Sequence, residues 1–139
     1  KLEWYGRLFS SHLDADWFGD AIGMFTKERR DVSAEDIEAT LAAALERAKG
    51  DARANVLLGL ARYRLAQKCN SGLTFYEQLF AEHPNSSIAK DAQREYDRLT
   101  KFGMGAVPPD FKGETIDGQE ISLSANVGKV TVIDFWGFW

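Results

Sequence analysis

Apolar positions recur along the first hundred residues at the three-and-four spacing of helices, and the period changes near Pro108. Leu2 to Arg30 is crowded with aromatics, namely Trp4, Tyr5, Phe9, Trp17, Phe18 and Phe25. It reads as two helices broken near Asp14 to Asp16. Ser33-Ala34-Glu35-Asp36 offers a helix cap and an acidic first turn. Ile37, Leu41, Leu45 and Ala48 follow on one face, and Gly50 is expected to end that helix. A further helix is expected from about Ala52 to Lys68, with Leu57, Leu58, Ala61 and Leu65 inward. The next runs from Gly72 to Glu82 with Phe75, Tyr76, Leu79 and Phe80, and His83-Pro84-Asn85 stops it. Ser86 or Ser87 can cap a last helix whose Ile88, Ala92, Tyr96 and Leu99 form a stripe.

Beyond Pro109 the pattern is that of strands. Phe111 to Ile116 and Glu120 to Leu123 flank Asp117-Gly118, a pair suited to the positive φ of a type I′ hairpin turn. Ser124 to Val127 suits one short helical turn. Val130 to Phe135 is almost continuously apolar and predicts a strand buried on both faces. The expected layout is a mainly α region over residues 1–102 followed by an α/β region over residues 103–139.

Composition narrows the function classes. The 139 residues are 45% apolar and 27% charged, which is globular in character. Net charge is −4 with the signs interspersed, so no basic stripe points to nucleic acid. The apolar runs are too short for a membrane span. The single cysteine, Cys69, has no partner for an internal disulfide or a Cys-x-x-Cys motif, and reads as a structural or incidental thiol. His12 and His83 lack neighbours at metal-ligand spacing, and no cofactor motif is present. Asn85-Ser86-Ser87 fits a glycosylation sequon, but a helix cap explains it better. The chain opens on Lys1 rather than Met, which leaves a removed leader open.

Two resemblances add to this reading. Tyr63, Gly72, Tyr76 and Pro84 resemble the large, small, large and proline positions of a tetratricopeptide-type hairpin, although the usual Leu-Gly pair is out of register. No second copy appears at the repeat period of ~34 residues. Such hairpins often bind peptides; the alternative is that these helices only bury one another. In the last quarter, Pro108-Pro109-Asp110-Phe111, Asp117-Gly118, Ile121-Ser122-Leu123, Gly128-Lys129-Val130 and Asp134-Phe135-Trp136 occur in order. That series resembles the start of a redoxin or TlpA-type thioredoxin-like domain. Peroxiredoxins share the early pieces, and the spacing of Phe135-Trp136 and Trp139 is more similar to the thioredoxin branch.

The resemblance implies a thiol-disulfide oxidoreductase acting on protein thiols and disulfides. It implies that Asp134 matches a buried proton-relaying aspartate and that Trp136 and Trp139 rim the redox site. Many relatives carry Asn at the position of Asp134, and the alternative is a carboxylate exposed at a strand end. A helical region ahead of such a domain resembles exported bacterial members, which implies an extracytoplasmic setting. In the family Cys-x-x-Cys follows directly, so the chain as given is expected to be catalytically inactive. Some relatives place selenocysteine first there, and its UGA codon read as stop would leave this end; proteolysis or a chosen end point would do the same. The other reading of function is a non-enzymatic helical interaction module with a vestigial redoxin tail. In either case the terminal strand is expected to be disordered, packed on the helical region or paired between molecules, since open strand edges invite pairing.

Overall fold

A computed structural model of the chain describes residues 1–28, 31–103 and 105–137. Among these the protein is mainly α-helical, with six helices and one two-stranded sheet. The helices are α1 (Leu2–Ser11), α2 (Phe18–Phe25), α3 (Ala34–Arg47), α4 (Gly50–Ala66), α5 (Gly72–Glu82) and α6 (Ser87–Phe102). The strands are β1 (Lys112–Glu114) and β2 (Glu120–Ser122), followed by a short 3-10 turn over Ser124–Asn126. The chain divides into two compact units, Lys1–Arg98 and Leu99–Trp139, with the division inside α6.

In the first unit the helices begin where side chains can satisfy their free amides. The Ser33 hydroxyl accepts from the Asp36 backbone N–H at 3.1 Å, and Glu35 and Asp36 place negative charge on the first turn of α3. The Ser86 hydroxyl accepts from the Ala89 N–H at 3.0 Å and starts α6. Gly50 does not end α3 as expected. That helix stops at Arg47, where Ala48 turns extended with ψ 142° while staying buried. Gly50 instead opens α4 at φ +53°, a left-handed value that lets the chain reverse within a very short connection. α4 ends in a Schellman motif: the Cys69 N–H bonds the Arg64 carbonyl and the Lys68 N–H bonds the Leu65 carbonyl. Lys68 holds the left-handed position at φ 60°, where glycine is usual.

The core of this unit gathers around α4. Phe9, Phe18 and Phe25 pack with ring centroids 5.3 to 5.5 Å apart, and Ile22, Ile37 and Leu41 join them at 2% exposure or less. α4 buries residues on nearly every side, from Ala52 and Val56 through Leu57, Leu60 and Ala61 to Tyr63. It packs on α2, α3 and α5. Two glycines allow that closeness. A Cβ on Gly59 would collide with the Ile22 side chain of α2. One on Gly72 would meet Leu65 Cγ at 2.6 Å and the Ala61 carbonyl at 2.7 Å.

The second unit holds the end of α6, the hairpin and the residues after it. β1 and β2 pair antiparallel, with Gly113 opposite Ile121. The turn differs from the expected type I′ form, which needs positive φ at both central residues. Of Asp117 and Gly118 only Gly118 takes it, at φ +77°, and the Gly118 N–H closes onto the Thr115 carbonyl at 2.9 Å. Asp117 keeps negative φ, so the loop is longer and ends on a left-handed glycine. The strands are correspondingly shorter than expected. Val130 to Phe135 forms no strand, contrary to the expectation of one buried on both faces. Val130, Val132 and Phe135 are 97%, 86% and 91% exposed. A strand takes its hydrogen bonds and its cover from neighbours, and a sheet of two three-residue strands offers little of either.

Candidate functional site

The residues that sequence reasoning put forward lie mainly in the second unit. Three of the five motif pieces meet there around the hairpin. The Asp110 carboxylate accepts from the Ser124 backbone N–H at 2.9 Å and so caps the 3-10 turn. The Leu123 N–H bonds the Phe111 carbonyl at 3.2 Å. Together these bonds tie Asp110 and Phe111 to Leu123 and Ser124, just past β2, with Asp117-Gly118 at the far turn. Ser124 holds the Asp110 carboxyl below the usual carboxylate range by stabilising its charged form. The bond was not anticipated, because a carboxylate fourteen positions from its donor leaves no local signal in the sequence.

Of the two remaining pieces, Gly128-Lys129-Val130 follows the 3-10 turn, with the Lys129 N–H on the Asn126 carbonyl at 3.0 Å, and Asp134-Phe135-Trp136 lies outside any helix or strand. Asp134 is exposed and belongs to no helix or strand. Trp136, its neighbour in sequence but one, is 73% exposed. Trp139 lies outside the described residues.

Cys69 belongs to the first unit, at the end of the α4 cap, and is exposed. Its Sγ lies 3.0 Å from the Ser71 hydroxyl. The Ser71 hydroxyl and backbone N–H, and then the Arg64 guanidinium, pull the thiol pKa down by favouring the thiolate. No group of three or more His, Cys, Asp or Glu side chains able to hold a metal occurs among the described residues. None of the helices described is long and apolar enough to cross a membrane.

Sequence reasoning missed the ionic ties of α4. Arg53 grips Glu82 with two bonds of 2.5 and 3.1 Å and donates to the Leu45 carbonyl at 2.7 Å. It thereby joins the end of α3 to the end of α5. Glu82, held by Arg53 and then by Gln78, has its pKa pulled down to about 2. Arg62 donates twice to Glu95 of α6, and Arg64 reaches Glu38 of α3 at 3.1 Å while lying over the Phe75 ring. Tyr76 is fully buried close to that Arg62–Glu95 pair. No hydrogen bond of acceptable geometry reaches its hydroxyl. Burial, reinforced by the Glu95 charge, pushes its pKa up to about 12. These partners are 26 to 33 residues apart in sequence, and no local spacing signals them.

Between α3 and α5, above α4, an open groove of about 490 Å³ remains, lined by Glu35, Glu38 and Glu46 and by the apolar Ala42, Leu45 and Phe75 among others.

No family model, curated protein or solved structure matches this chain.

Proposed function

We propose that the chain combines a repeat-like helical domain over residues 1–102 with the front of a thioredoxin-like domain over residues 103–139, and that the protein bearing it exchanges thiols and disulfides. The observation that carries this reading is the run of five short motifs from Pro108 to Trp136 in the family's order and spacing. The Asp110–Ser124 and Phe111–Leu123 bonds support it, because they give three of those motifs a shared structural purpose.

The chemistry needs two thiols. A first thiolate attacks one sulfur of a protein disulfide, and the S–S electron pair leaves on the other sulfur. A second thiol then attacks the mixed disulfide, forms the enzyme disulfide and releases the reduced substrate. Residues 1–139 contain Cys69 alone, so they can form a mixed disulfide but cannot resolve it. A protein that continues into Cys-x-x-Cys supplies the pair. Its added sheet would cover Val130 to Phe135 and bury Asp134. Burial disfavours the charged carboxylate, so Asp134 could hold a proton near neutral pH and pass it to the resolving thiol. Trp136 and Trp139 would then shape the rim.

The test is turnover of a protein disulfide by residues 1–139 and by the protein with its natural downstream sequence. No turnover by the first and turnover by the second are expected, with an altered pH profile for Asp134→Asn in the second. Superimposable pH profiles would remove Asp134 from the mechanism, and no thiol pair downstream would remove the enzyme. In the chain alone an uncovered Val130 to Phe135 pairs with a second copy; light scattering would read that as mass rising with concentration.

One observation favours a second reading, a non-enzymatic interaction module: the helical unit carries an open groove with unpaired carboxylates at its ends.

A further inference from the structure

The groove over α4 has a pattern of charge that specifies what fits it. Its wall on α3 runs Glu35, Ala39, Ala42, Glu46, spaced by four, three and four residues. Eleven residues make just over three helical turns, so the two carboxylates share one face about 16 Å apart. The alanines between them leave the space open. Leu45, Leu60 and Phe75 add apolar surface. Glu38 is matched by Arg64 at 3.1 Å, so it contributes no spare charge. Glu35 and Glu46 have no hydrogen bond or ion pair among the described residues. The groove thus holds apolar side chains and the mutually neutralised Glu38–Arg64 pair between two negative ends that have no ion-pair partner.

We propose that this groove docks an extended peptide segment of a partner protein in which two Lys or Arg side chains flank a short apolar run. An extended chain advances about 3.3 Å per residue, so cations five positions apart would meet Glu35 and Glu46 together. The apolar side chains between them would lie against Ala39, Ala42 and Phe75. A second copy is a poor occupant, because it carries net charge −4 and would bring a negative surface to a negative groove. This docking is independent of the thiol chemistry and goes beyond it.

The test uses the full 139-residue chain and the fluorescein-labelled, end-blocked peptide Lys-Leu-Val-Val-Leu-Lys, read by fluorescence anisotropy. Binding is expected and should weaken with salt, because the ends are exposed charges. The double variant E35Q/E46Q should weaken it about fivefold to tenfold, since exposed pairs contribute up to roughly 1 kcal/mol each. Ala42→Trp fills the groove and should abolish binding. These positions are outside the core, and a cooperative thermal transition would confirm that each variant is folded, with a small drop expected for the loss of Glu35 from the first turn of α3. The proposal is overturned if the Glu-ended peptide binds equally well, or if neither substitution changes the affinity. It is also overturned if Ala42→Trp abolishes self-association instead, which would make a second copy the occupant. Because no readout involves a thiol, failure here leaves the disulfide-exchange reading standing, and failure of that reading leaves this one.

Discussion

Phe25 and Phe135 are the same side chain in opposite circumstances. Phe25 sits in the first unit at 0% exposure, wedged between Tyr5 and Phe9, whereas Phe135 is 91% exposed in the second. The difference lies in how each element satisfies its backbone. A helix closes its hydrogen bonds within itself and needs neighbours only for its apolar face. Helices with matching faces therefore suffice for the first unit, and α4 supplies the surface that α2, α3 and α5 share. A strand needs a partner on each side for its backbone and a layer on each face for its side chains. Val130 to Phe135 has the side chains of a central strand, and the second unit has only a short hairpin to set beside it.

The sharpest way to break this comparison is to truncate both rings. Phe25→Ala should cost about 3–5 kcal/mol, the range for removing a buried aromatic. Phe135→Ala should change stability by less than about 0.5 kcal/mol. Urea unfolding of both variants compares them directly, and equal losses would mean that the tail is housed after all. Gly72→Val should cost about 1–3 kcal/mol, because the added atoms have no room between Leu65 and the Ala61 carbonyl. A neutral result in the same experiment would show that α4 and α5 are not held at that separation.

A smaller effect with the opposite sign is expected at the α4 cap. Lys68→Gly relieves a left-handed backbone at φ 60° and should stabilise by about 0.5–1 kcal/mol after the entropy of glycine is counted. A lowered thermal midpoint would contradict the Schellman geometry. The smallest effect concerns Glu82, whose side chain is 34% exposed and partly screened. Its pKa falls from 4.5 to about 2 on folding through Arg53. A depressed carboxylate stabilises the fold above its unfolded pKa and loses that contribution as pH drops through the folded one. The thermal midpoint of Glu82→Gln should therefore trail that of the parent above about pH 4.5 and converge with it by about pH 2. Parallel curves over that window would mean that the Arg53 pair does not contribute to stability.

Much of the helical unit was legible because its signals are local. Ser33 and Ser86 cap the helices they precede, Pro84 follows a helix end, and Gly72 lies where two helices approach. Gly50 was misread because a glycine between two helices serves equally well as the end of one or the start of the next, and the extended Ala48 decides it. The arginine ties of α4 were illegible, since an arginine on a helix surface carries no mark of a partner some thirty residues away. In the hairpin, Asp117-Gly118 located the turn but not its type, which depends on one φ angle at Asp117. The candidate site was legible as a series of residue types and illegible as geometry. Asp110 was noticed as part of a motif, while its contact with Ser124 appeared only in the folded hairpin. The apolar run from Val130 describes what the segment needs around it, and a run of side chains cannot itself provide those neighbours.

Native-state hydrogen exchange of residues 1–139, followed amide by amide, tests the contrast between the two units most directly. The account predicts that the amides of Leu57, Leu60 and Tyr76 are protected to nearly the global unfolding free energy, while those of Val130 to Phe135 exchange close to the unprotected rate in dilute solution. Protection of Val130 to Phe135 equal to that of α4 at concentrations where the chain is a monomer would contradict it.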